Sequence, residues 1–331
     1  MNPIKFKDKA TGKVSYTIDP MAFVVNSAAL GDVIATAPVI KHLIDTKYVT
    51  PDSYYVVAKT AFRDIFWFVP DSNFRDFDST DQPLWGVGDK TPIAILNQPK
   101  NGLILRLTPK KLHLSHYASL AFAETILPDD KLRYVPLKSV DVSDFGVDFS
   151  KSVIIITSFR DKTRSWPAKD VLEFSTMLKK RGLTPVFVGK TDSDLHVATR
   201  QLTSHSSLPD DVSEYGIDLR NKTTLSQLAS IMDKSFAVCG IDSGPIHLAA
   251  TTETPVICGF TVVSPEYRVP FGKEKTFFPI DADVECSGCE SKWAAAYHNF
   301  ENCYFGEPTC ISTFTADRFI HHIDLLLSQQ K

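Results

Sequence analysis

The chain repeats one pattern: a short, continuous apolar run, a loop of small or polar residues, then apolar positions at helical spacing. MAFVVN (21–26) leads through Ser27 to Gly31 into DVIATAPVIKHLID (32–45). Unbroken apolar runs this short read as strands buried on both faces, and helices between such strands imply parallel pairing. In the first half, SYYVVAK (53–59), PIAIL (92–96) and GLILRL (102–107) read as further strands, with helices at FRDIFWFV (62–69) and LSHYASLAFAETIL (114–127). The pattern lapses over 128–150, rich in Asp, Pro and Ser, and then restarts. SVIIIT (152–157), TPVFVG (184–189), FAVCGI (236–241) and PVICGF (255–260) read as strands. Helices are expected from Ala168 to Arg181, closed by Gly182, and at 225–235, 244–252 and 316–327. Two runs of alternating strand and helix predict an α/β protein with two doubly wound, Rossmann-like domains, at 21–145 and 146–331. Residues 4–18, around Thr11-Gly12, read as a small hairpin in an N-terminal arm covering 1–20.

Length and composition agree with two soluble domains: 331 residues, 43% hydrophobic and 23% charged. A net charge of -3 argues against a broad, charge-driven nucleic-acid surface. No apolar stretch is long enough to span a bilayer, and MNPIKFKDKATGKVSY lacks the core of a signal peptide. The expectation is a cytoplasmic protein without stable membrane insertion, with peripheral association at an inner membrane left open.

Three segments carry chemistry. Gly240-Ile241-Asp242-Ser243-Gly244-Pro245-Ile246-His247 follows a strand and opens a helix, where free N–H groups and the positive dipole end favour phosphate. A capped turn with no ligand explains the same residues. Thr157-Ser158-Phe159-Arg160-Asp161-Lys162-Thr163-Arg164-Ser165-Trp166-Pro167 puts cations and hydroxyls after a buried strand, where open α/β sheets bind ligands. Such a loop is more ordinarily just solvated, although Arg suits bidentate phosphate contact better than Lys. Asp32, in Leu30-Gly31-Asp32, sits where the first loop meets its helix and reads either as an N-cap or as a general base. Cys286-x2-Cys289-x13-Cys303-x6-Cys310 permits a tetrahedral structural zinc site, or is four reduced thiols in a loop-rich segment. Cys239 and Cys258 fall in apolar strands and read as core.

Together and in this order, the segments resemble the bacterial heptosyltransferases, glycosyltransferase family 9. LGDVIATAPVIKHL is similar to that family's first loop and helix, and SFRDKTRSWP to its entry into the donor domain. DLRNKTTLSQLASIMDKSFAVCGIDSGPIHLAATTETPVICGF is similar to its nucleotide-binding block. The resemblance covers roughly 21–45 and 152–272. It implies a GT-B fold, two Rossmann-like domains facing across a cleft with the donor in the C-terminal one. It also implies inverting transfer of a sugar from a nucleoside-diphosphate sugar to an acceptor hydroxyl without a catalytic metal. Asp32 is then the base. Arg164, with Lys162 as rival, neutralises the diphosphate; Thr157 and Ser158 line the phosphate site. Asp242, Ser243, Gly244 and His247 hold the diphosphate and donor sugar. The family often carries a cysteine set near its C-terminus. This chain departs from it in Asn26, where a cation is frequent, in Arg164 where Lys is more usual, and in its N-terminal arm. A sugar-nucleotide epimerase, a non-catalytic nucleotide-binding module, and transfer to a surface glycan or a modified DNA base are the competing readings.

Overall fold

The structure is a computed structural model; it describes residues 4–7, 14–17, 21–25, 29–49, 54–76, 93–95, 112–123, 125–159, 162–190, 193–197, 200–206, 208–292, 303 and 306–329. The chain divides into two compact units, Met1–Leu103 with Leu114–Leu137, and Ile104–His113 with Lys138–Lys331.

In the first unit, β1 (Ile4–Lys7) and β2 (Val14–Thr17) form the antiparallel hairpin expected of the N-terminal arm. The remaining strands are β3 (Met21–Val24), β4 (Tyr54–Ala58), β5 (Phe74–Asp76) and β6 (Ile93–Ile95), all parallel in the order β5-β4-β3-β6. Helix α1 (Leu30–Asp45) follows β3, and α2 (Leu114–Ala123) packs beside it. α1 buries Val33, Ile34, Ala37, Val39 and Ile40 and tolerates Pro38 in its interior. The expected helix at 62–69 is a 3-10 helix over Thr60–Phe66, and the helix expected to reach 127 ends at Ala123. The strand expected at 102–107 lies outside the described residues.

The second unit holds a six-stranded sheet, all parallel, in the order β12-β9-β7-β13-β14-β15. Its strands are β7 (Ser152–Ile156), β9 (Thr184–Val188), β12 (Ile217–Asp218), β13 (Ala237–Ile241), β14 (Val256–Phe260) and β15 (Phe277–Asp281). Numbered along the chain this is 3-2-1-4-5-6, the doubly wound dinucleotide-binding order, which reverses direction between β7 and β13. Helices α3 (Ala168–Lys180), α4 (Leu225–Asp233), α5 (Gly244–Ala249), α6 (Cys289–Lys292) and α7 (Ala316–Ser328) complete the unit. A small sheet, β8 (Ser158–Phe159) with β10 (Ser193–Val197) and β11 (Arg200–Ser206), was not legible in the sequence.

Local chemistry explains several boundaries. Gly182 takes φ 74° just past α3, a left-handed closure that glycine adopts without a Cβ clash. Thr224 and Gln227 form a capping box at the start of α4. The core between α3, α7 and the sheet is aromatic. Trp166 stacks on Phe319 with centroids 3.9 Å apart, and its indole N–H donates to the Phe314 carbonyl at 2.8 Å. Phe174, Phe314 and Phe319 are fully buried there.

Candidate functional site

Open parallel sheets bind ligands beyond the carboxyl ends of their strands, at the point where strand order reverses. In the second unit that point lies between β7 and β13. The loop leaving β7 carries Thr157, Ser158, Lys162 and Arg164; the loop leaving β13 carries Asp242, Ser243 and Gly244. Two segments that the sequence singled out separately therefore flank one switch point.

Asp242 is the centre of this arrangement. It is 3% exposed, and its backbone N–H donates to the Gly259 carbonyl at 2.9 Å, tying it to β14. Arg164 Nη1 lies 3.4 Å from Asp242 Oδ2, His247 Nε2 3.5 Å from Oδ1, and Arg268 Nε 4.0 Å from Oδ2. Burial by itself pushes the carboxyl up; Arg164, then His247 and Arg268, more than offset this and hold it well below the usual carboxylate range. On its other side, Arg164 Nη2 is 3.9 Å from Glu290 Oε2. The result is a mostly buried alternation of guanidinium and carboxylate groups at the sheet's carboxyl edge.

The other residues named from sequence are placed as follows. Lys162 is exposed, in the same 3-10 turn (Lys162–Arg164) as Arg164. The Thr157 hydroxyl donates to the Val188 carbonyl at 3.1 Å, so its proton is committed within the sheet. Ser158 sits against Gly189, where an added Cβ would lie 2.7 Å from its Oγ. Ser243 is the N-cap of α5 but makes no side-chain cap bond, and among the described residues its buried Oγ has no hydrogen-bond partner. The helix expected over 244–252 is only six residues long. Pro245 contributes no N–H, and Ile246 N–H already donates to the Ser243 carbonyl at 3.1 Å. So short a helix sums few peptide dipoles, which leaves little of the helix-end field that the sequence predicts.

Asp32 belongs to the first unit and is not the N-cap of α1: that position is Ala29, which makes Asp32 the third helical residue. Its carbonyl accepts from the Thr36 hydroxyl at 2.8 Å. Asn26 lies outside the described residues.

The four cysteines of the C-terminal segment are free thiols in one neighbourhood. Burial first, then the nearby thiols, pushes Cys289 up to about 11 and Cys310 up to about 12. Among the described residues, however, no three His, Cys, Asp or Glu side chains stand in metal-binding proximity. As placed, Cys286, Cys289, Cys303 and Cys310 do not make the zinc site that their spacing allows. Cys239 and Cys258 are fully buried in β13 and β14.

Sequence reasoning missed Arg268 and Glu290. Arg268 follows the 3-10 turn Pro265–Tyr267 beyond β14. Glu290 reaches the site because the backbone N–H groups of Gly288 and Glu290 donate to Thr261 and Val262 carbonyls, each at 2.7 Å. The rule that ligands lie beyond strand ends applied to this loop as well, and was the available signal.

Among known proteins, the family model "Glycosyltransferase family 9 (heptosyltransferase)" matches residues 109–295, more than half of the chain. "Lipooligosaccharide heptosyltransferase 2" of Haemophilus influenzae is 27% identical over 114 residues, 34% of this chain and 32% of that protein. "Lipopolysaccharide core heptosyltransferase OpsX" of the same species is 26% identical over 157 residues, 46% of this chain and 44% of that protein. The chain thus spans less than half the length of these curated relatives. Among solved structures, the iron-containing dodecameric glycosyltransferase TibC of enterotoxigenic E. coli matches with a TM-score of 0.67 at 14% identity, covering 99% of this chain and 83% of that one. A family 9 glycosyltransferase of Veillonella parvula gives 0.62 at 14% identity over 95% and 99%. E. coli ADP-heptose lps heptosyltransferase II gives 0.55 at 14% identity over 94% and 99%. At such identity the likeness is one of fold, and the fold is GT-B, with two Rossmann-like α/β units. By the match to its family model, the chain belongs to glycosyltransferase family 9.

Proposed function

We propose that the chain transfers a sugar, of the heptose type, from a nucleoside-diphosphate sugar to an acceptor hydroxyl with inversion at the anomeric carbon. The observation that carries this reading is the buried Asp242 with Arg164, His247 and Arg268 around it at the β7/β13 switch point. A leaving diphosphate gathers negative charge in the transition state. Guanidinium groups fixed before the reaction stabilise that charge without reorganising. Arg164 is the group we assign to it, with Ser158, Ser243, Gly244 and His247 as further donor contacts and Lys162 as an outer cation. Asp242 is the support that keeps the arginines in place.

Asp32 is the proposed base. An acceptor hydroxyl must lose its proton as it attacks, and a carboxylate within hydrogen-bond reach can accept that proton in a concerted step. Because cationic side chains handle the diphosphate charge, we assign no catalytic role to a metal. TibC is described as iron-containing; the four cysteines here are not in ligand geometry, and no step is routed through them. The related ADP-D-beta-D-heptose complex of TibC suggests ADP-heptose as the first donor to try.

Calorimetry against ADP, GDP, UDP and CDP, followed by the matching nucleotide sugars, tests the reading. One diphosphate should bind, and Arg164→Glu should weaken it more than tenfold, since two lost charge-assisted contacts cost roughly 2–4 kcal/mol. Unchanged affinity in that variant sinks the assignment of Arg164.

A further inference from the structure

The described arginines with the least exposure fall into two kinds. Arg220 is saturated: it donates to both Asp218 oxygens and to the Pro209 and Asp210 carbonyls, at 2.8–3.0 Å. Arg318 donates to the Thr313 and Asp281 carbonyls, and Arg63 to two carbonyls and Asp71. These guanidinium groups hold the fold. Arg268 is different. Its side chain is only 18% exposed, yet its nearest carboxylate oxygen is 4.0 Å away, beyond hydrogen-bond reach. Among the described residues its guanidinium donates no hydrogen bond. A partly buried guanidinium whose donors meet no protein acceptor is open to charge-assisted hydrogen bonds to an anion.

Its place says what that would be. Arg268 Nε and Arg164 Nη1 approach the same oxygen, Asp242 Oδ2, at 4.0 and 3.4 Å. Arg164 has a second carboxylate in Glu290, whereas among the described residues Arg268 has the shared one alone. Glu290 answers Arg164, while the carboxylate oxygen that faces Arg268 is too far away to accept from it and leaves its N–H donors open. Two hydroxyls on the adjoining residues are also without partners among the described residues: Ser243 Oγ after β13, and Thr261 Oγ1 after β14, on a residue 2% exposed. Unused cationic and neutral donors at one sheet edge match an oxyanion richer in charge than a single phosphate.

We propose that Arg268 is a second diphosphate-binding cation, acting with Arg164 over their shared support Asp242, and that this pair makes the chain prefer a nucleoside diphosphate over a monophosphate. The proposal rests on the donor-site reading above. A single phosphate can be served by whichever guanidinium remains, but two phosphates need both.

The test measures affinities for ADP and AMP, and for inorganic pyrophosphate and phosphate, at one fixed ionic strength. The proteins are wild type, Arg268→Gln and Arg268→Lys, with melting temperatures recorded alongside. Wild type should favour ADP over AMP, and pyrophosphate over phosphate, by tenfold or more. Arg268→Gln should lose at least tenfold for ADP and pyrophosphate and less than about threefold for AMP and phosphate, with Arg268→Lys recovering part of the loss. If Arg268→Gln keeps the wild-type preference, or loses di- and monophosphate affinity equally, Arg268 is merely a counter-ion to Asp242 and the proposal falls. Wild type binding none of ADP, GDP, UDP, CDP and pyrophosphate overturns the donor-site reading too; if another base is the one bound, its di- and monophosphate replace ADP and AMP in the comparison, which separates the two failures.

Discussion

At the scale of residues, each unit carries one aspartate near the start of a helix that follows a strand. Asp242 is buried under cations and held ionised well below the usual range, so it supports rather than exchanges protons. Asp32 lies at the third helical position of α1, where Asn is tolerated and where a negative charge contributes roughly 0.3–1 kcal/mol through the helix dipole. Asp32→Asn should therefore keep its melting temperature within a few degrees and still bind donor nucleotide. Its kcat should drop by about two orders of magnitude or more, the usual worth of general-base help. Near-normal turnover in a well-folded variant would remove Asp32 from the mechanism. Both aspartates were legible in the sequence because each sits at the junction of an apolar run and a helical pattern. Arg268 was not. It stands 26 residues beyond Asp242 in the numbering, in a loop of ordinary composition, and only the parallel pairing of β13 with β14 brings the two together.

At the scale of elements, α7 closes the second unit, and two kinds of contact hold it. The Arg181–Asp324 pair is bidentate, at 2.6 and 2.7 Å, but lies at the surface. Exposed pairs are worth about 0–1 kcal/mol. Phe319 is fully buried and stacked on Trp166. Removing a buried ring costs about 3–5 kcal/mol. Urea unfolding should therefore rank Phe319→Ala far below Arg181→Ala; a reversed order would mean that charge, not packing, docks the helix. The same helix carries a pH dependence. Burial first, then His321 and Arg318, lowers the His322 pKa, so the folded state resists protonation there. Its contribution is complete above the ordinary value of about 6.5 and is lost as pH falls from there toward the depressed value. Melting temperature should fall between pH 7 and 5, and less steeply in His322→Gln. The helix itself was readable from its apolar spacing. The docking was not, because Trp166 and Phe319 are distant in sequence and nothing local pairs them.

At the scale of the whole molecule, the charge on the diphosphate is assigned to arginines and not to a metal ion. Transfer should accordingly survive extensive treatment with a chelator, read as initial rate against an untreated sample. Activity lost to the chelator and restored by Mg²⁺ or Mn²⁺ would contradict that assignment. The amino-acid order alone determined the α/β class, the two runs of alternating strand and helix, the family, and the two loops that flank the switch point. These follow from local periodicity and from short segments whose chemistry is contiguous. Tertiary structure alone decided the sheet order 3-2-1-4-5-6, which makes those loops neighbours. It also decided the convergence of Arg164, Arg268, His247 and Glu290 on Asp242 or its partner, and the failure of four well-spaced cysteines to reach ligand geometry. The reason is physical: periodicity reports which face of an element is buried, but which elements lie side by side depends on strand pairing and packing between distant segments. A charged side chain's partners are set by that pairing.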